Sequence, residues 1–311
     1  MNEETAHLNP HTPLKPAIEA WRIYLTDQGR SPHTIKAFTA DVRMLAEYLP
    51  PAYPLGEVTT TDINNFLDWM QHKRGVPCSA KTLARRITSI KAFFRWLHQY
   101  GVVLANPAEK VVQRTVTSPL PTVLTPAEVD TVMQAAWAHM EGPRPDRRYF
   151  MLFNLLIHTG VKKSELRAIK VNHLALDAPE GAYLFVRYAS PQHRYKERKI
   201  PLPPDWVSAY PLYAAQYHIE DVVFPWSQRR LEYLLEDLSK ETGLEKHISF
   251  EMCRWTCALL DYLNGIEHDK IRQKLGISAI QWREVRNKLS RLAEGIRSPA
   301  TQEDSPGRVR G

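Results

Sequence analysis

Cysteine is scarce in this sequence. Three occur in 311 residues, Cys78, Cys253 and Cys257, too few and too odd in number for a disulfide framework. A reducing compartment is the natural setting for such a chain. Long apolar runs are also missing, and none approaches the length of a membrane span. The opening stretch, MNEETAHLNPHTPLKP, is polar and has no apolar signal segment. A cytoplasmic protein is expected. Acidic residues are absent from one whole stretch, Ser79 to Gly101. Tyrosine is absent after Tyr262. Both gaps bear on function.

Hydrophobic residues make up 43% of the chain, enough for two cores in a protein of this length. Lys and Arg outnumber Asp and Glu by 41 to 34, a formal net charge of +7. That balance fits a polyanionic partner, because neutralised phosphates release counterions.

Helical periodicity dominates. In SPHTIKAFTADVRMLAEYL, Ser31 is placed to cap a helix that has Pro32 at its first position. Ile35, Phe38, Val42, Leu45 and Leu49 then recur at three- and four-residue steps. Further helices are expected over 18–28 and 61–73. In SAKTLARRITSIKAFFRWLHQYG, Ser79 caps and Gly101 ends a helix whose buried stripe is Leu83, Ile87, Ile90, Phe94 and Leu97. Its other faces carry Lys81, Arg85, Arg86, Lys91 and Arg95 without one acid. A merely solvated face usually mixes signs; this one reads as a surface for a phosphate backbone or a major groove. Arg85 and Arg86, read as surface cations, should then be replaceable by Ala with little loss of stability.

Residues 1–16 read as a disordered tail and 17–113 as a helical domain. The Pro/Thr-rich 114–124 reads as a linker, 125–296 as a second domain, and 297–311 as a polar tail. Thr125-Pro126-Ala127-Glu128 is a capping box. Helices are expected near 126–141, 146–158, 163–168, 204–217, 228–242, 249–264, 267–275 and 279–295. Two short strands, 182–187 and 197–202, flank a basic turn. The fold class is mainly α (α+β), with a small antiparallel sheet in the second domain.

This layout resembles the tyrosine recombinase (phage integrase) family. The segments that carry the resemblance are AKTLARRITSIKAFFRWLHQYGVVLANPAEKV, LTPAEVDTVMQAA, LLIHTGVKKSELRAIKVNHL, KERKIPLP and CRWTCALLDYLNGIEHDKIRQKLGIS, in that order. It implies a helical core-binding domain, a catalytic-fold domain, and a clamp around duplex DNA. It also implies attack on a phosphodiester by a tyrosine, with arginines, a lysine and histidines holding phosphoryl oxygens and moving protons.

Against that pattern the residues depart. Lys162 stands where the first arginine belongs, with Lys163 beside it. His193 stands near the mobile lysine. The His-x-x-Arg motif is Glu251-Met252-Cys253-Arg254, so only Arg254 is kept. Ile277 replaces the histidine after Leu275-Gly276. The resemblance puts the tyrosine about nine residues further on, near Arg286. Lysine for arginine keeps charge and loses the fork; a lost nucleophile leaves nothing to form the covalent bond.

The expectation is a DNA-binding protein of recombinase fold, inactive in strand cleavage and associated with the nucleoid. It would act as an architectural, regulatory or accessory subunit, as a homo-oligomer on DNA or beside an active recombinase. Candidate contacts are Lys36, Lys81, Arg85, Arg86, Lys91, Arg95, Lys162, Lys163, Arg187, His193, Arg194, Lys196, Arg198, Lys199 and Arg254. Residues 279–296 are a candidate segment for docking on a neighbouring protomer. No metal or cofactor is expected: His247, Cys253, Cys257 and His268 match no standard zinc spacing. The alternatives are a protein scaffold that no longer binds DNA, which the acid-free helix disfavours, and an unorthodox active recombinase or nuclease.

Overall fold

The computed structural model describes residues 7–76, 78–112 and 119–297. The chain divides into two compact units, Met1–Pro119 and Leu120–Gly311.

The described residues of the first unit form four α-helices: α1 (Leu14–Asp27), α2 (Pro32–Tyr48), α3 (Thr60–His72) and α4 (Ala80–Gln99). Their starts follow the sequence signals. The Ser31 hydroxyl accepts from the Thr34 N–H and the Ser79 hydroxyl from the Thr82 N–H. Thr59 and Asp62 cap α3 reciprocally. The helices close on Trp21, Phe66, Phe93 and Phe94, all fully buried. Residues 10–16 depart from the expected tail. Thr12 and Pro10 accept backbone hydrogen bonds from Leu55 and Gly56 (2.9 and 2.8 Å), and Leu14 is buried. An apolar side chain and two satisfied backbone acceptors tie this segment down. Residues 1–6 lie outside the described residues.

The second unit is built around α6 (Arg148–Thr159), in which every residue from Tyr149 to Ile157 is buried. Helix α5 (Pro126–Glu141) enters through the expected capping box, Thr125 with Glu128. Helices α8 (Pro204–Tyr217), α9 (Gln228–Glu241) and α10 (Phe250–Leu263) also pack on α6. A three-stranded antiparallel sheet runs β1 (Leu174–Ala175), β2 (Tyr183–Val186), β3 (Arg198–Pro201), with Leu184 opposite Ile200. The two-residue β1 has no periodicity to announce it. The helix expected over 163–168 is a single turn, α7 (Lys163–Leu166).

Val123 and Leu124, read as the end of the linker, are buried in this unit. The Leu124 N–H donates to the Thr256 hydroxyl at 3.0 Å. Helices α11 (His268–Leu275) and α12 (Ala279–Arg297) complete it. Trp282, Leu289 and Ala293 of α12 pack on Ala258, Leu259, Ile271 and Leu275 of the same chain. Much of the apolar face of 279–296 is therefore covered from within, while Ile280 stays 80% exposed. Tyr262 is half-buried beside this cluster, its ring stacked on His268 at 5.5 Å. Residues 298–311 lie outside the described residues. None of the described helices is long and apolar enough to cross a membrane.

Candidate nucleic-acid interface

Helix α6 ends at Gly160, whose left-handed backbone (φ +58°) suits glycine. A Cβ there would crowd Cys257 Sγ and Leu275 Cδ2 at 3.1 and 3.2 Å. This tight corner delivers Lys162 to the N-cap position of α7. The Glu165 carboxylate accepts from the Lys162 backbone N–H at 2.8 Å. The Lys162 side chain is half-buried, and its Nζ has no hydrogen bond or ion pair among the described residues. Burial lowers its pKa; Glu165 opposes this, and Arg254, Lys196 and Arg198 add to it. The fold thus gathers three further sequence-predicted cations, Lys196, Arg198 and Arg254, near Lys162.

Their roles differ. Arg198 is only 8% exposed at its side chain. It grips Glu165 with both arms (Nη1–Oε1 3.0 Å, Nη2–Oε2 2.9 Å) and donates Nε to the Lys274 carbonyl at 2.6 Å. Burial pushes the Glu165 pKa up, and the Arg198 fork more than offsets it, leaving about 2. Arg198 is a structural partner, not the DNA contact expected from its place in a basic run. Arg254 donates Nη1 to the Gly160 carbonyl and Nη2 to the Leu275 carbonyl (2.6 Å for the latter). Each carbonyl lies at a helix C-terminus, where a cation is favoured. Burial lowers the Arg254 pKa. The expected phosphate-facing fork is turned largely onto the backbone.

Lys163 is also partnered. Its Nζ lies 2.9 Å from Glu232 Oε1 and 6.0 Å above the Phe250 ring. It lines an open pocket of about 560 Å³ with Glu232, Glu236, His247 and Glu251. Three carboxylates around one paired lysine do not favour a phosphate, so the reading of Lys163 as a backbone contact is corrected. Glu251 is exposed and accepts from the Trp255 indole N–H at 2.9 Å. Ile277 packs beside the α11–α12 core. Arg286 is exposed on α12.

Around the β2–β3 connection the cations do face outward. Arg187 and Arg194 are exposed, and His193 and Lys196 half-buried. The His193 ring leans on Tyr188 at 5.8 Å. Lys199 is exposed, 3.6 Å from Glu180 and 4.3 Å above the Tyr183 ring.

In the first unit, Lys36, Lys81 and Arg95 are exposed and Lys91 half-buried. Arg85 and Arg86 are different. Asp41, 2% exposed on α2, binds Arg85 Nη1 and the Ser89 hydroxyl (2.8 Å for the latter), with Arg86 Nε at 3.5 Å. Arg86 is buried, its Nη1 against Met70 Sδ and Cys78 Sγ, both at 3.4 Å. The expectation that Arg86 is a surface DNA contact is corrected, because a buried carboxylate draws it inward; Arg85 binds the same carboxylate and still keeps 42% of its side chain exposed. Among the described residues, no group of His, Cys, Asp and Glu is arranged to hold a metal ion.

Known proteins resemble this chain over both units. Residues 18–101 match the family model described as "Phage integrase, N-terminal SAM-like domain". Tyrosine recombinase XerC of Roseiflexus castenholzii is 32% identical over 167 residues, covering 52% of this chain and 51% of the relative. The match thus spans about half the length of that relative. XerC of Corynebacterium efficiens is 27% identical over 286 residues, 86% of each chain. A lambda integrase dimer bound to a COC′ core site superposes with TM-score 0.70 at 18% identity, over 97% of this chain and 81% of that one. The Tn1549 transposon integrase in complex with a circular intermediate DNA gives TM-score 0.66 at 17% identity, over 89% and 99%. At such identities the structures establish the fold.

Proposed function

We propose that this chain is a tyrosine recombinase (phage integrase) relative that binds duplex DNA without cleaving it, a reading supported by the match of residues 18–101 to the integrase N-terminal domain and by its similarity to XerC proteins. It acts as an architectural, regulatory or accessory subunit, as a homo-oligomer on DNA or beside an active recombinase. One observation carries the second half: no tyrosine follows Tyr262 in the sequence, and the resemblance implies the family's tyrosine near Arg286. A guanidinium does not attack phosphorus, so the covalent intermediate has no donor.

The rest of the site supports this reading. Lys162 offers a point charge where a planar fork matches two phosphoryl oxygens. Arg254 spends Nη1 and Nη2 on backbone carbonyls. Glu251 and Ile277, a carboxyl and a hydrocarbon, stand where the resemblance implies histidines. DNA binding rests on other residues: the exposed Lys36, Lys81, Arg95, Arg187 and Arg194, with Lys162 the unpartnered cation at the corner. Among the DNA-bound relatives, integrases are seen as a dimer and as a tetramer on a Holliday junction.

A gel-shift titration at several salt concentrations tests the binding. Affinity should be measurable at low salt and fall steeply as salt rises; no binding at low salt sinks the reading. Supercoiled plasmid tests the chemistry. The expected outcome is no relaxation and no protein–DNA species that survives denaturant. A covalent species would favour the alternative, an active recombinase whose nucleophile lies off the expected position.

A further inference from the structure

Tyr195 is unlike the other surface aromatics of this protein. It is 75% exposed, whereas Tyr48, Trp137 and Tyr233 are 37, 39 and 39% exposed and keep most of their rings covered. It sits in a short 3₁₀ segment, Pro191–Lys196, between β2 and β3. That segment is well anchored. The His193 N–H donates to the Ser190 carbonyl at 3.0 Å and the Glu197 N–H to the Arg194 carbonyl at 2.9 Å. Glu197 in turn accepts from the Tyr188 N–H at 2.9 Å. The strand leaving the turn begins at Arg198, locked onto Glu165.

A single exposed ring is ordinary on a protein surface. The surroundings distinguish this one. His193, Arg194 and Lys196 lie within two residues of it, and Lys196 Nζ is 5.1 Å from its centroid. Glu197, the carboxylate on the turn, is already engaged by Tyr188. The phenol oxygen has no hydrogen bond among the described residues. The turn therefore holds a bare aromatic face among cations. Cations alone satisfy a phosphate backbone; the ring adds a π-surface, which is what a nucleobase offers in return.

In an intact duplex each base face is already covered by its neighbours. A protein ring reaches one only where a base has left the stack. We propose that Tyr195 is a base-stacking residue that lets the β2–β3 turn recognise an unstacked base in bound DNA. This rests on the reading of the protein as DNA-binding.

The test uses the full chain and two short duplexes of one sequence, one fully paired and one carrying an unpaired 2-aminopurine bulge. The wild type should bind the bulged duplex about tenfold more tightly and shift its 2-aminopurine fluorescence. Tyr195→Ala should lose both effects while keeping its melting temperature and its affinity for the paired duplex. Tyr195→Phe should keep both effects, because stacking needs the ring and not the hydroxyl. Tyr195→Ala retaining the preference overturns the proposal, as does a wild type that binds both duplexes equally. A wild type that binds neither at low salt removes the DNA-binding reading itself, and this inference with it.

Discussion

Arg86 and Lys162 are both cations in helical sequence, yet they have opposite fates. Arg86 is buried beside Asp41, while Lys162 is half-buried with a free amine. Replacing Arg86 leaves Asp41 short of a partner in an apolar setting. Arg86→Ala should therefore destabilise the protein by roughly 3 kcal/mol, read as a lowered melting temperature. An unchanged melting temperature would mean that Arg85 and Ser89 suffice for Asp41. Glu165 gives a pH test. Its folded pKa of about 2 lies below its ordinary value of 4.5. Its contribution is thus complete above pH 4.5 and lost as the pH falls toward 2. Melting curves over that window should show wild-type stability declining. Glu165→Gln should be less stable at neutral pH by about 3 kcal/mol and lose less across the window. Parallel curves for the two proteins would contradict the pairing.

Helix α4 shows how far pattern reading reaches. Its cap at Ser79, its core stripe and its acid-free character are all legible in order and spacing. Its pairing with Asp41 is not, because that carboxylate lies 44 residues from Arg85. One clue was available: Asp41 follows Phe38 by three residues and precedes Leu45 by four, which places an acid on the apolar face of α2. The same limit applies at α7. Lys162 and Lys163 are adjacent in sequence, but only Lys163 meets Glu232, 69 residues away. Periodicity reports which face is buried and does not report what the opposite element brings to it. The exposed cations of α4 are Lys81, Arg85 and Arg95, of which Arg85 also binds Asp41. Lys81→Ala with Arg95→Ala should weaken DNA binding by about tenfold and flatten its salt dependence, with the melting temperature retained. Unchanged affinity would place the DNA-facing surface elsewhere on this unit. Helix α12 carries a different expectation, since Trp282 is buried in its own unit. Trp282→Ala should cost about 3–5 kcal/mol, measured by thermal melting.

At the scale of the whole molecule, helix caps and the corner at Gly160 hold the fold, and the proposed lack of cleavage rests on a few single positions within it. The segments that carry the family resemblance were legible because their order spans both units. The bonding of Arg254 was not, because hydrogen bonds to the Gly160 and Leu275 carbonyls leave no trace in local sequence. Those bonds make a demanding test possible. If only the nucleophile were missing, restoring it would restore cleavage. Arg286 is exposed on α12, so Arg286→Tyr should fold. On the proposed reading, a phenol there would still lack partners: Lys162 has no fork, Arg254 is bonded to two backbone carbonyls, and Ile277 and Glu251 stand where the resemblance implies histidines. The transition state needs several preorganised donors at once, and each lost one costs about 10²–10³ in rate. Arg286→Tyr, alone or with Lys162→Arg, should therefore give no denaturant-resistant adduct on nicked DNA. Such an adduct would show that the site stands one residue from catalysis, and the proposed accessory role would have to yield to that of a recently disabled recombinase.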